Sequence, residues 1–278
     1  RTWIVVDADP ERSELLVAPV SDQGHAPQWV GELPPTPAEV AREAGRLRRL
    51  FAIDLGLMEE EEVSQIDPAE LLKGNSKLDD YPINGEAKGM LADIISTHFS
   101  SAQMIPTERL ITIEDRSDAL VINSCQGNRI NEALGHYLLA MASTRSGKWG
   151  RLIVEPCRIS LQVGGITPRE IIEWLCETPP EALEGVLSVT LPNSREVRWR
   201  FAQIAKIFGI LRHGVDPRKI NIQALLKKYR GTPVLDEVLS KLFHERMDVN
   251  GASDVMRAIQ SGLIGLEVTA MGPLGISS

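Results

Sequence analysis

Ser124, Gly127, Asn128 and Arg129 fall within one polar turn, Ser124-Cys125-Gln126-Gly127-Asn128-Arg129, between a β-rich run and an amphipathic helix. The first N–H groups of a helix have no partner inside it, and the helix dipole favours negative charge at that end. A hydroxyl, a glycine and a guanidinium at such a position predict a cradle for an anion such as phosphate. An ordinary strand–turn–helix in which Asn128 merely caps the helix gives the same pattern. The residues alone leave both readings open.

Two further features suit nucleic-acid chemistry. Trp29 lies in a proline-flanked polar turn, His25-Ala26-Pro27-Gln28-Trp29-Val30-Gly31, where an indole can stack on an unpaired base or seal the end of a small barrel. Trp3 reads as a core residue. Between Arg195 and Arg230 ten basic residues face only Glu196 and Asp216, although the whole chain carries a net charge of −8. Attraction to phosphate is local because salt screens it. A cationic face therefore remains possible on an acidic protein. Helical spacing puts Phe201, Ile204, Ala205 and Phe208 inside and leaves Arg195, Arg198, Lys206 and Arg212 as a candidate phosphate track. A merely solvated helix face is the bland alternative. Arg198 and Arg200, two apart, cannot share a face, so one of the inward cations is expected to pair with a carboxylate. Lys227, Lys228 and Arg230 end a helix, where cations relieve the dipole unaided.

Other chemistry finds little support. No G-x-x-x-x-G-K-[ST] loop is present, and Ser124 lacks the G-x-S-x-G elbow of a hydrolase. His98, His136, His213 and His244 read as isolated, without the carboxylate or cysteine spacing of a metal site or triad. Cys125, Cys157 and Cys176 fit neither a disulfide framework nor a C-x-x-C site and read as small, mostly buried residues in a reducing compartment.

These groups need positioning. Trp3–Asp7 and Glu14–Pro19 predict a hairpin, the last strands of a small β-barrel. Thr36 is expected to cap a helix from Pro37 to Phe51, with Glu39 completing a capping box and Val40, Ala44, Leu47 and Leu50 or Phe51 inside. An acidic surface connector follows, with seven acids and no base between Asp54 and Leu72. Gly85–Phe99 predicts a helix buried through Met90, Ile94, Ile95 and Phe99, and Leu110–Glu114 and Ala119–Asn123 predict strands. Ile130–Thr144 is a helix, and Arg151–Val154 and Arg158–Val163 extend the sheet. Thr167-Pro168-Arg169-Glu170 is a strong helix start. Helices follow at 168–177, 180–188, 195–212, 221–230, 232–246 and 252–261. The last would close on a wing, Leu263–Leu274, in winged-helix order. The expected class is α+β, divided into the end of a β-barrel (1–35), an α/β region (36–165) and a helical, winged-helix-like region (166–278).

The 278 residues suffice for a buried core. No apolar run approaches the roughly 18 residues of a membrane span, and no leader is evident, so a cytoplasmic, nucleoid-associated protein without membrane contact is expected. The opening Arg1 and the bare Gly-Ile-Ser-Ser ending suggest a piece of something longer.

The motifs as a set resemble a known family. Pro106-Thr107, Ile113-Glu114, Val121-Ile122, Ser124, Gly127, Arg129, Asn131 and Ala133-Leu134 are similar to the helicase-associated region of the Lhr (large helicase-related) family of superfamily-2 helicases. In family order, Arg1-Thr2-Trp3, Pro27 to Glu32, Val197 to Ala205 and Met247-Asp248 through Ile264 resemble its other motifs, with Gln28 and Val197 replacing aromatic residues. The resemblance implies RecA-like motor domains elsewhere that use ATP and Mg. It also implies 3′-to-5′ movement on single-stranded DNA, unwinding of DNA or RNA:DNA hybrid, and a place in DNA repair. It makes Trp29 the aromatic that packs on the tracking strand. Two rivals remain: a base-removing module using Glu114, Asp115 or Asp118, and a protein-docking scaffold using the acidic 54–72 face.

Overall fold

Alternating side chains make two antiparallel strands at the start of the chain, β1 (Thr2–Asp9) and β2 (Glu14–Val20), with Val5 opposite Val17 and a bulge before Asp7. The computed structural model describes residues 2–9, 12, 14–20, 34–59, 78–211 and 220–275. Trp29, Arg212 and the stretch 60–77, with most of the acidic connector, lie outside the described residues. The expected hairpin is present, but no barrel closes among the described residues.

Contacts divide the chain into two units. One comprises Arg1–Pro34 and Ser188–Glu245, the other Pro35–Leu187 and Arg246–Ser278. In the second unit, α1 (Ala38–Asp54) and α2 (Gly85–Ala102) precede β3 (Leu110–Asp115) and β4 (Leu120–Asn123). Next come α3 (Asn128–Ser146), β5 (Arg151–Glu155), β6 (Arg158–Gln162) and α4 (Pro168–Glu177). Helix α5 (Leu183–Thr190) runs across the division. With a last strand, β7 (Gly265–Thr269), the five-stranded sheet has the order β5-β6-β4-β3-β7.

The last strand, β7 (Gly265–Thr269), corrects the winged-helix expectation. It does not fold back as a hairpin but pairs parallel with β3, Leu110 opposite Gly265 and Ile113 opposite Val268. An alternating run of this length carries no mark of its partner, and an antiparallel wing and a parallel edge strand read alike. Helix α9 (Val249–Gln260) leads into it and packs on α3 and α4. The inner strands β3 and β4 are almost wholly buried, and α3 buries Ile130, Ala133, Leu134, Tyr137 and Leu138.

The predicted buried stripe of α1 holds at Phe51, with Leu47 packed beside it, but is displaced by one position over the first two turns. Val40 is 57% exposed, whereas Ala41, Gly45, Phe51 and Ala52 are buried. Gly45 explains the shift, since a Cβ there would meet the Glu108 backbone N at 2.5 Å and the Cys125 Cβ at 3.0 Å. The helix therefore lies with its small residues against that turn, and close backbone approach overrides the apolar period. Helix α2 likewise buries Ile95, His98 and Ala102 while Met90 and Ile94 are exposed.

In the first unit, α6 (Arg195–Ile207) is capped by Ser194, whose Oγ accepts the Val197 N–H at 3.2 Å. It ends at Phe208-Gly209, short of the expected residue 212, because Gly209 takes φ +69°. Phe208 is consequently 50% exposed, not buried; Val197, Phe201, Ala202, Ile204 and Ala205 form the inner side. Helices α7 (Ile222–Lys228) and α8 (Pro233–Arg246) follow, and α8 buries Val234, Leu235, Val238, Leu239 and Leu242.

Candidate nucleic-acid interface

The Ser124–Arg129 turn is built inward. The Ser124 N–H donates to the Cys157 carbonyl at 3.0 Å, the Gly127 N–H to Pro156 at 2.9 Å and the Asn128 N–H to Thr36 at 3.2 Å. Asn131 Nδ2 reaches three carbonyls, those of Ser124, Glu155 and Pro156, at 2.9, 3.0 and 3.1 Å. Asn128 does not cap α3 from outside but is its first residue, and its Oδ1 accepts the Thr36 N–H at 2.8 Å. Thr36 in turn does not cap α1; Pro37 stands at that position with no side-chain bond. Gly127 adopts φ +83°, and a Cβ on it would meet Ala38 at 2.8 Å. The Ser124, Gly127 and Asn128 amides are therefore spent on carbonyls, and Ser124 and Gln126 are each only 1% exposed. The Ser124 hydroxyl, the Gln126 Nε2 and the Asn131 Oδ1 are enclosed without a protein partner. Arg129 is half-buried and donates to the Met247 carbonyl at 3.4 Å.

Beside the turn, the fully buried Glu114 receives Arg116 at 2.6 Å and Asn123 Nδ2 at 2.9 Å, while Asn123 also donates to Thr112 Oγ1 at 3.1 Å. Gly275 closes over this carboxylate, with no room for a Cβ. His98 is also fully buried: its Nδ1 accepts the Leu274 N–H at 3.2 Å, and burial, helped by Arg48 and Arg116 against Glu114 and the Met104 carbonyl, lowers its pKa. Of the acids weighed for base removal, Glu114 is thus occupied, and Asp115 and Asp118 are exposed.

Helix α1 supplies three arginines to this layer. Arg42 Nε donates to Gln126 Oε1 at 2.8 Å, Arg49 Nε to Glu108 at 2.7 Å and Arg48 Nη1 to Cys125 Sγ at 3.4 Å. Sequence spacing gave no hint that Cys125 and Cys157 meet. The Cys125 thiol hydrogen-bonds to Cys157, which draws the Cys157 thiol down to about 6 despite its burial, with Arg48 and Arg158 adding to the effect. The same bond, together with burial, pushes Cys125 up. Cys176, expected to be buried, is exposed. His136 is not isolated either: its Nε2 lies 3.6 Å from Glu132, one helical turn away, a spacing visible in the sequence. Among the described residues no group of three His, Cys, Asp or Glu side chains could hold a metal.

In the other unit, Arg200 pairs with Glu245, as expected of an inward-leaning cation. Arg198 is half-buried, with its Nε donating to the Ser194 carbonyl at 3.3 Å, and Lys206 is partly exposed. Arg195 opens α6, its side chain lying outside the description. The candidate residues thus divide between the two units: the 124–129 turn in one, Arg195, Arg198 and Lys206 in the other.

The model of the family described as DEAD/H associated matches residues 105–275, more than half of the chain. The chain belongs to the DEAD/H associated family. The matched stretch takes in the whole five-stranded sheet, the 124–129 turn and α6. The chain is similar to the ATP-dependent helicase Lhr-Core of Sulfolobus acidocaldarius, with 22% identity over 91% of this chain and 29% of that protein. It is likewise similar to the protein of that name from Saccharolobus solfataricus, with 24% identity over 91% of this chain and 30% of that protein. This DEAD/H associated chain therefore spans less than a third of the length of these relatives. Its fold is similar to the Mycobacterium smegmatis helicase Lhr bound to ssDNA and AMP-PNP, with a TM-score of 0.64 and 15% identity over 91% of this chain and 32% of that one. The α+β class agrees with that likeness. No helix among the described residues is long and apolar enough to cross a membrane.

Proposed function

We propose that this chain is the accessory, nucleic-acid-binding part of an Lhr-like ATP-dependent helicase, holding the tracking single strand while motor domains elsewhere advance it 3′ to 5′ during DNA repair. The observation that carries the reading is the family match joined to a fold likeness, over nine-tenths of the chain, to a helicase holding ssDNA. ATP and Mg would serve RecA-like motor domains, since this sequence holds no phosphate loop. The share of this chain is binding rather than catalysis, on single-stranded DNA or the DNA strand of an RNA:DNA hybrid, in a cytoplasmic, nucleoid-associated setting.

Within it, Arg195, Arg198, Lys206 and Arg212 would meet phosphates and Trp29 a base. Backbone contacts of this kind give affinity without sequence choice and make it steeply salt-dependent. The Ser124–Asn128 turn would serve as structure within its own unit, with Arg129 its one cation available to a strand. To test the reading, the chain is titrated with fluorescent single-stranded DNA at two salt concentrations, with uracil release assayed in the same tubes. Salt-sensitive binding without release supports it. Release without salt-sensitive binding, or no binding at all, defeats it.

A further inference from the structure

Trp149 is 86% exposed, an unusual position for an indole, which ordinarily buries most of its area. The loop that carries it, Gly147-Lys148-Trp149-Gly150, is pinned at both ends. Gly147 ends α3 in the left-handed region at φ +67° and donates to the Ser143 carbonyl at 2.9 Å. At the other end, a Cβ on Gly150 would lie 2.0 Å from Val163 Cγ2, so the loop's base sits flush on the strand end beside it. With its backbone fixed on either side, the ring is held outward.

The charged residues nearest it in sequence have one sign. Arg145, Lys148 and Arg151 fall within the same short stretch with no acid among them, and all three are exposed. Arg145 lies 3.2 Å from Glu170 with its side chain still 69% exposed. Lys148 Nζ lies over Gly164, 3.8 Å from where a Cβ would stand. An exposed indole whose sequence neighbours are exposed cations and glycines suits a nucleobase stacked on the ring, with its phosphates near the cations. A protein hot spot of the same kind would be ringed by apolar side chains that exclude water. Here the exposed sequence neighbours are Lys148 and Arg151.

We infer that Trp149, with Lys148 and Arg151, forms a base-stacking contact for single-stranded nucleic acid, separate in sequence from the Trp29 turn and α6. The inference rests on the nucleic-acid-binding reading above and adds a specific subsite to it. The test uses the full chain labelled with 5-fluorotryptophan, a fluorescent oligodeoxythymidine, and an abasic oligonucleotide of equal length and charge. Trp149→Ala is expected to weaken oligodeoxythymidine binding about tenfold, and Trp149→Phe much less. Binding of the abasic strand should hardly change in Trp149→Ala. Lys148→Ala with Arg151→Ala should weaken both strands alike. The fluorine resonance missing in Trp149→Phe should shift with oligodeoxythymidine and stay in place with the abasic strand. If the wild-type chain binds oligodeoxythymidine while that resonance stays still and Trp149→Ala binds equally well, the subsite is wrong and the general reading stands. If the wild-type chain binds neither strand, both fall together.

Discussion

Thr36 and Asn128 hold each other by two hydrogen bonds: the Thr36 N–H donates to Asn128 Oδ1 at 2.8 Å, and the Asn128 N–H donates to the Thr36 carbonyl at 3.2 Å. This reciprocal clasp fixes the entry to α1 against the start of α3. Asn128→Ala, which removes one of the two bonds, should cost about 1–2 kcal/mol, read as a lower urea midpoint. Asn128→Asp keeps the acceptor and suits the helix N-terminus, so it should recover most of the loss. Because the clasp is structural, the added negative charge should leave single-strand affinity unchanged. A marked loss of affinity in Asn128→Asp would return the turn to the list of phosphate contacts.

His98 should make stability depend on pH. Its folded-state pKa lies below the unfolded value of about 6.5, so the unfolded chain binds more protons in the acid range. The stabilisation is complete above about pH 6.5 and is lost as pH falls from there through the lower, folded value. Protonation at Nδ1 would also abolish the acceptor that holds the Leu274 N–H. Urea midpoints measured across this acid range should fall in the wild type, and His98→Gln should flatten that segment of the curve. An unchanged slope in the variant would assign the acid loss to other groups.

Cys157 should react as a thiolate near neutrality. Alkylation by iodoacetamide, followed residue by residue by mass spectrometry, should rise as pH passes about 6 for Cys157. In Cys125→Ala the hydrogen bond that lowers it is gone, and the rise should move toward higher pH. The same midpoint in both proteins would show that the arginines alone set the reactivity.

On α6 the cations should separate by role. For single strands each phosphate contact contributes about 0.7 to the slope of log affinity against log salt. Arg198→Ala with Lys206→Ala should therefore flatten that slope by about 1.4, whereas Arg200→Ala, whose guanidinium serves Glu245, should leave it nearly intact and lower stability instead. Equal flattening by both variants would contradict the division.

Local chemistry was legible in the sequence and distant chemistry was not. The Thr167–Glu170 capping box formed as written, with the Thr167 N–H donating to Glu170 Oε2 at 2.9 Å, because every group involved lies within one turn. The four strands from Leu110 to Gln162 also joined one sheet as expected. Thr36 failed as a cap because Asn128, far along the chain, claims its backbone. The meeting of Cys125 with Cys157 and the parallel docking of β7 on β3 depend on the same kind of long-range pairing. At the candidate interface, the arginine-to-carboxylate pairing on α6 could be read from helical spacing. The inward bonds of the Ser124, Gly127 and Asn128 amides could not, since their acceptors come from Cys157, Pro156 and Thr36. Trp149 needed no long-range information; its glycine neighbours and flanking cations were visible in the sequence.

The parallel pairing of β7 with β3 also constrains the order in which this molecule can mature on the ribosome. Residues 188–245 must be translated before the partner of Leu110–Asp115 exists, and Gly272–Gly275 must arrive before His98 and Glu114 are shielded from water. Until then the buried strand β3 is itself an edge of the nascent sheet and its Glu114 lacks a cover, a condition that invites chaperone attention and makes a truncation ahead of Gly265 more damaging than its length would suggest.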